Sequence, residues 1–474
     1  MIAKISWKNV WRNKTRSLVV ITSVTLGILA GILLIGIMQG WVEQRMYDAI
    51  HNEVSHIQIH NTHFLENEDL ASTLNNISET ISAVESLPEM RAWVKRTKLT
   101  AIATTPWGST GLFVYGIEPE KEKKVSEIHT RIVNEGGEYP GSSPEGTILI
   151  SDKTAEVLKI KQYVVTEKSI DLLMDNKVPG DIVSKLNQIK DTRFRIQEEF
   201  EKRLREILSA HEIDRYGALI MKNAVDYRIR SRVQITFSDI NGNPVQGVFR
   251  VCGIYKTTNT GYDQATAFVN IEDLASLYGA TDPLIHEIAV ILDDIKKADL
   301  AKKKLSEVSA GNTVSSWKDL APDAAMMNDY MIFYYFIFIG IIMLALAFGI
   351  INTMLMAILE RTKELGMLMA IGMNRKKIFS MIMLETTFLT SVGAIAGMLA
   401  GWGMISILSK TGIHFSGWGE GFESIGYAAS VYPRVTLEFF IFIVLMVFFT
   451  AILSSIWPAH KALRLNPLET LRTE

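Results

Sequence analysis

Four apolar runs divide this chain, and their placement constrains its fold more than any other feature. They are Leu18 to Trp41, Tyr330 to Leu359, Ile378 to Ser409 and Phe439 to Trp457. Each is long enough, at about 1.5 Å of helix per residue, to cross a hydrocarbon core about 30 Å thick. The first, second and fourth contain no charged residue, and the third contains only Glu385. One span near the start and three near the end leave residues 42 to 329 outside the bilayer as one long segment. The first run ends in Met38-Gln39-Gly40-Trp41 with no small-x-small cleavage site, which fits a retained helix better than a cleaved signal peptide.

Orientation follows from the short flanks. Residues 1 to 17 carry Lys4, Lys8, Arg12, Lys14 and Arg16 without an acid, and residues 360 to 377 carry Arg361, Lys363, Arg375, Lys376 and Lys377. Residues 410 to 438 hold only Lys410 and Arg434 as bases, while 458 to 474 hold Lys461, Arg464 and Arg472. The positive-inside rule therefore puts both termini in the cytoplasm and residues 42 to 329 and 410 to 438 outside. A net charge of -2 over 474 residues is no electrostatic footprint for nucleic acid. The one cysteine, Cys252, excludes an intramolecular disulfide and a cysteine-rich zinc cluster.

The outer segment reads as a mixed α+β domain. The helix of the first span is expected to continue over Val42 to Val54, followed by alternation in His56-Ile57-Gln58-Ile59-His60 that predicts a strand. Further strands are expected at Leu99 to Thr104, Gly111 to Ile117, Thr147 to Ser151, Ala267 to Asn270 and Glu287 to Leu292, with helices at Ser72 to Ser86 and Asp152 to Leu158. Arg232 to Ser238 and Val245 to Tyr255 flank Asp239-Ile240-Asn241-Gly242-Asn243, a hairpin signal. His51, His56, His60 and His63 invite a metal reading. No cysteine or carboxylate cluster accompanies them, so a solvated polar face is the plainer reading and no metal is assigned. Residues 161 to 226 differ in composition. Leu186, Ile189, Ile196, Phe200, Leu204 and Ile207 recur at helical spacings among charges, which predicts an amphipathic helix in a helical hairpin, either packed on the domain or acting as a partner-binding arm.

Between the second and third runs, Leu365, Leu368, Met369 and Ile371 form an apolar stripe on a short helix that Gly372 ends in the left-handed conformation. Such a helix between two spans suits force transmission, or it lies in the headgroup region. Gly393, Gly397 and Gly401 recur at four-residue spacing, as do Gly27 with Gly31 and Gly36 with Gly40. The ladder in the third span is read as intramolecular packing, and the first span as the better candidate for a dimer contact. Glu385, about 12 Å into its helix, calls for a partner, and a structural hydrogen bond is preferred to a proton-coupling role. No G-x-x-x-x-G-K-[ST] loop or nucleophile elbow occurs in these residues, so the chain is not read as an enzyme.

The segment Glu360-Arg361-Thr362-Lys363-Glu364-Leu365-Gly366 through Gly372 to Ile378 resembles the coupling loop of the MacB/FtsX-like permeases, the membrane subunits of type VII ABC transporters. Trp7 to Ser17 resembles the basic amphipathic helix before that family's first span. Glu385 with the third-span glycines resembles its third span, and Trp457 to Ala462 with Asn466 to Arg472 resembles its tail. His56 to His60, Phe249 to Tyr255, and Gly417 to Arg434 with Tyr432-Pro433-Arg434 resemble the lipoprotein-releasing LolC/LolE branch. Residues 161 to 226 depart from the family, in which the helix near Asp152 to Ile160 runs almost directly into the strand near Val233.

The resemblance implies an α-helical membrane protein of the bacterial inner membrane. Its expected parts are a cytoplasmic basic helix (1–17), four transmembrane helices (18–41, 330–359, 378–409, 439–457), a periplasmic α+β domain (42–329), a coupling helix (360–377), a periplasmic loop (410–438) and a cytoplasmic tail (458–474). It implies docking on a cytoplasmic ABC ATPase dimer through Glu360, Arg361, Glu364, Leu365, Leu368 and Gly372, with ATP and magnesium bound by that partner and no cofactor in this chain. It also implies a second permease subunit, identical or not, and release of lipoproteins to a periplasmic carrier. The alternatives are MacB-like efflux of periplasmic small molecules or peptides, and a signalling permease acting on an envelope enzyme.

Overall fold

A computed structural model of the chain describes residues 2–12, 14–141, 146–280, 282–415 and 419–463. Gly417, Arg464 and the Asn466 to Arg472 motif lie outside the described residues. The chain divides into two compact units. One comprises residues 1–44, 326–419 and 428–474, and the other residues 45–325 with the short segment 420–427.

The first unit is a helical bundle. Among the described residues four helices are long and apolar enough to cross a membrane, Ser17–Val54, Pro322–Glu360, Arg375–Thr411 and Leu437–Leu463, called here spans 1 to 4. The expected class, one span before and three after a large α/β domain, is met. Helices prevail because a lipid-embedded backbone has to satisfy its polar groups within the segment. Span 1 is central: Val20, Val24, Ile28, Ile32 and Ile35 recur on its buried side and pack with Leu346 and Ile350 of span 2, Ile382 and Leu389 of span 3, and Ile443 and Val447 of span 4.

The glycines explain that packing. A Cβ on Gly397 would lie 2.9 Å from the Ile28 Cβ and 3.0 Å from the Thr25 carbonyl, and one on Gly393 2.8 Å from the Val24 Cβ. The third-span ladder is thus the groove that receives span 1. The glycines of span 1, expected to favour a dimer contact, face its own bundle. Gly27 meets Leu346, Gly31 meets Ile443, Gly36 meets Ile405, and Gly40 lies under the Tyr432 carbonyl, 2.4 Å from where a Cβ would stand.

The second unit is built on a nine-stranded sheet. Its strands are β1 (Ile57–Asn61), β2 (Met90–Thr105), β3 (Gly108–Ile117), β4 (Thr147–Ser151), β7 (Arg232–Ser238), β8 (Pro244–Tyr255), β9 (Thr266–Asn270), β10 (Glu287–Leu292) and β11 (Asn312–Ser316), while β5 (Lys161–Tyr163) and β6 (Val225–Tyr227) form a separate pair. The order is β11-β1-β10-β2-β3-β9-β4-β8-β7, and β7 also pairs with β2, Ala103 opposite Ile235. Strands β2-β3-β9-β4-β8-β7 therefore close on themselves around Leu99, Val114, Ile148, Ile235, Val251 and Val269, and β10, β1 and β11 extend the sheet over a second core.

The departures from expectation have physical causes. Strand β2 begins at Met90 rather than Leu99, and its charged residues Arg96 and Lys98 point into a buried ion network. The helix expected from Ser72 starts at Ile77, after Asn76 takes a left-handed conformation (φ 46°). Edge strand β11 is short and polar and left no pattern in the sequence. The periodicity from Leu186 to Ile207 is not one helix. Residues Gly180–Leu186 and Gln197–Ile207 are separate helices, and Phe194 between them exchanges backbone hydrogen bonds of 2.7 and 2.8 Å with Tyr163. The expected hairpin is Gln197–Ile207 with Ala210–Ala224, joined by a capping box between Ser209 and Glu212. The apolar faces of these helices enclose their own core, including Ile170, Leu186, Phe200, Leu204 and Ile220.

Candidate functional site

The residues expected to couple to a partner converge at one end of the bundle. Span 2 ends at Glu360, and Arg361 leaves the helical conformation (φ -107°, ψ 18°) before the coupling helix Thr362–Ala370. Gly372, at φ 94°, stops that helix. Its N–H donates to Met369 and the Met373 N–H to Leu368, each at 3.0 Å, a Schellman end that needs the left-handed residue. Asn374 then caps span 3 by accepting from the Lys376 N–H at 3.0 Å.

The coupling helix is held from behind by a chain of alternating charges. Arg361 donates to Glu364 at 3.1 Å through Nε and to both carboxylate oxygens of Glu385 at 3.2 and 3.3 Å through Nη1. Arg12, on the amphipathic helix Ile2–Arg12, donates to Glu364 at 3.2 Å through Nη1 and also through Nη2. Burial opposes ionisation of Glu364, but the hydrogen bonds from Arg12 and Arg361 outweigh it and hold its carboxyl below the usual range. Leu365 and Gly366 are buried, and Leu368 and Met369 pack against the bundle core. The amphipathic helix is fastened to span 3 in turn. Ser6 Oγ donates to the Met381 carbonyl at 3.1 Å, and Trp7 meets Phe388 edge-on with ring centroids 5.4 Å apart.

This arrangement divides the expected docking residues. Glu360 and Gly372 are exposed, whereas Leu365 is buried and Arg361 and Glu364 are engaged inward. Ile371, expected on the apolar stripe with Leu365, Leu368 and Met369, is 78 % exposed, and the face left open among the described residues is Glu360, Lys363, Met367 and Ile371. Lys363 and Met367 were missed, although their three- and four-residue steps from Glu360 could have found them. Arg12 was missed as a partner because nothing in a basic helix names the acid it will meet. Glu385 has the partner expected of a charge in a span.

The histidines do other work. His60 Nε2 bonds Glu287 at 2.9 Å, and Glu287 also pairs with Lys98 and, at 2.6 Å, with Arg96. Burial opposes the charge on Glu287, yet Lys98 and Arg96 hold its carboxyl well below the usual range. Nδ1 of His56 accepts from the Leu292 N–H at 2.9 Å. Both imidazoles are buried rather than solvated, which corrects the polar-face reading for them. His63, beside Glu66, is the solvated one. Among the described residues no group of three or more His, Cys, Asp or Glu side chains converges as a metal site would.

Residues 336–467 match the family model for the FtsX-like permease C-terminal region. The chain is 28% identical over 232 residues, 48% of its length and 55% of the relative, to an uncharacterised ABC transporter permease of Methanocaldococcus jannaschii. It is 36% identical over 126 residues, 27% of its length and 16% of the relative, to the macrolide export ATP-binding/permease protein MacB of Chlorobium luteolum. The extracellular domain of the ABC-type transporter YknZ from Gram-positive bacteria aligns with 55% of this chain and 99% of that domain, at 12% identity and a TM-score of 0.29. The chain thus spans about half the length of the archaeal relative and less of MacB. The protein is a multi-pass membrane protein whose residues 336 to 467 are similar to the C-terminal region of FtsX-like permeases.

Proposed function

We propose that this chain is the permease subunit of an ABC transporter, driven by a separate cytoplasmic ATPase dimer that binds the ATP and magnesium. The observation that carries this reading is the coupling helix, open on one face and braced on the other. A partner pressing on Glu360, Lys363, Met367 and Ile371 pushes through Arg361 and Glu364 on span 3 and the amphipathic helix together. Both termini then lie in the cytoplasm, the α/β domain lies on the far side of the bacterial inner membrane, and a second permease subunit completes the transporter. Its dimer contact lies elsewhere than the span 1 glycines, which are filled.

For substrate, the relatives favour MacB-like export of small molecules or peptides from the domain's side of the membrane. Lipoprotein release is the second reading, on the resemblance of His56 to His60 and Phe249 to Tyr255 to that branch. Those stretches are strands of the sheet, so the likeness speaks for the fold of the domain before its cargo. Pulling three acyl chains into water would cost tens of kcal/mol, at about 0.8 kcal/mol per methylene, so such a transporter has to shelter them from water.

The coupling reading is tested by Ile371→Glu in the co-purified complex. The variant is expected to lose substrate-stimulated ATP hydrolysis about tenfold, a loss of roughly 1.4 kcal/mol of coupling, with unchanged melting temperature. Wild-type hydrolysis would sink the docking face. Mass spectrometry of the complex without ATP separates the cargoes: bound triacylated lipoprotein lost on adding ATP supports release, and its absence supports export.

A further inference from the structure

The amphipathic helix Ile2–Arg12 hides only a narrow stripe. Ser6 and Val10, one turn apart, are fully buried against span 3 and the start of span 1, where Ser17 Oγ donates to the Val10 carbonyl. The rest of the helix projects outward. Ile5, Trp7 and Trp11 are 40 to 46 % exposed, and Lys4, Lys8 and Arg12 are exposed as well. At about 100° per residue, Trp7 and Trp11 form one flank and Lys4 and Lys8 the flank beside it.

Span 3 fixes where the tryptophan flank lies. Phe388, which carries the Trp7 ring, shares a helix face with Ile395, Leu399 and Trp402, and those three are more than half exposed. An apolar stripe left open along a membrane span faces lipid or a second subunit, and the tryptophans at its end favour lipid. The tryptophans therefore sit at the end of that open stripe, and because indole rings prefer the boundary between hydrocarbon and headgroups, this places the boundary near Phe388, about 15 Å past the span start expected at Ile378. Lys4 and Lys8, next on the helix surface, reach the headgroup layer, their stems along the apolar boundary and their ammonium groups in the polar zone. Among the described residues no ion pair engages Lys4 or Lys8, whereas Arg12 on the same helix is paired with Glu364.

We propose that the helix Ile2–Arg12 is a seat for anionic phospholipid headgroups, with Lys4 and Lys8 binding the phosphates and Trp7 and Trp11 setting the depth. A lipid fits better than a protein partner because the aromatic flank is continuous with the open stripe of span 3. Arg12 ties the seat to the coupling helix through Glu364, so headgroup binding steadies the element on which the ATPase is proposed to act; this consequence rests on the proposed function.

The test uses the full chain in nanodiscs of phosphatidylcholine alone or with about a third phosphatidylglycerol, reading amide hydrogen exchange over residues 2–12. Exchange is expected to slow on the order of tenfold in the anionic discs and to recover with added salt. The difference should vanish in the Lys4→Gln/Lys8→Gln variant and persist in Lys4→Arg/Lys8→Arg. Equal exchange in the two discs would overturn the proposal, including the case of a second copy covering the helix. A composition effect that survives the glutamine variant would overturn it too, moving the lipid to the bases at 375–377. Failure of the chain to enter discs at all would instead overturn the membrane reading itself.

Discussion

Asp263 shows how a single buried residue sets the behaviour of the α/β domain. It is 2 % exposed, and its carboxylate accepts from the Thr257 N–H at 3.0 Å and the Thr257 hydroxyl at 2.7 Å. Burial pushes its pKa from 3.8 up to about 7, against the lowering effect of those hydrogen bonds. The folded chain holds this proton more tightly than the unfolded one, so the stabilisation is full below pH 3.8 and is lost as pH rises through about 7. Asp263→Asn keeps an acceptor for Thr257 and cannot ionise. Relative to it, the wild type is expected to lose up to about 1.4 kcal/mol per pH unit between its two pKa values. Melting curves at about pH 5 and about pH 8 check this, and parallel shifts would show that Asp263 stays in one state. Such residues are invisible in the sequence. Nothing in the sequence singles out Asp263 or the Arg96–Glu287 and Lys98–Glu287 pairs, because pairing across strands β2 and β10 and burial of a short helix leave no local pattern.

At the scale of elements, spacing is legible and partnership is not. The four apolar runs announced their helices because lipid demands length and hydrophobicity within one segment. The glycine steps announced close packing, yet a four-residue spacing does not say which helix fills the groove. Span 1 fills it, and that is testable. Gly397→Val would drive a side chain into Ile28 and the Thr25 carbonyl, while Gly403, two residues past Gly401, has nothing within 4 Å of a Cβ. Gly397→Val is expected to lower stability in detergent by about 1–3 kcal/mol, and Gly403→Ala to change it by less than about 0.5 kcal/mol. Equal effects in thermal unfolding would mean that the ladder is not the seam. The coupling helix follows the same rule. Its ends were legible from Glu360 and Gly372, but the direction of each face depended on Arg12 and Glu385, distant in sequence.

The molecule as a whole is modular, and residues 161 to 226 are its clearest module. Composition marked their limits, and the fold agrees: β5 and β6 lie side by side, Lys161 opposite Tyr227 and Tyr163 opposite Val225, so the segment leaves where it arrives. Its core is its own, while Tyr227 and Ile229 just after it pack on the closed part of the sheet. Among the described residues its ties to the rest of its unit include two exposed ones, Arg195 over the Trp107 ring at 3.8 Å and the Lys168–Glu135 pair, and a largely buried one, Lys161 with Asp152 at 2.8 Å. A stretch with paired ends and a private core is separable. Replacing residues 161 to 226 with a short Gly-Ser link, keeping Tyr227 and Ile229, is expected to leave the remaining domain folded. The Tyr227 hydroxyl would still reach Asp152, now 2.7 Å away, and the change in the domain's stability should stay within about 2 kcal/mol, since surface pairs contribute about 1 kcal/mol or less each. Hydrogen exchange over strands β2, β7 and β8 of the full-length variant measures this directly. Protection retained there would license assigning any lost transport to the module's own contacts, whereas protection lost would show that the sheet depends on the inserted helices for its closure.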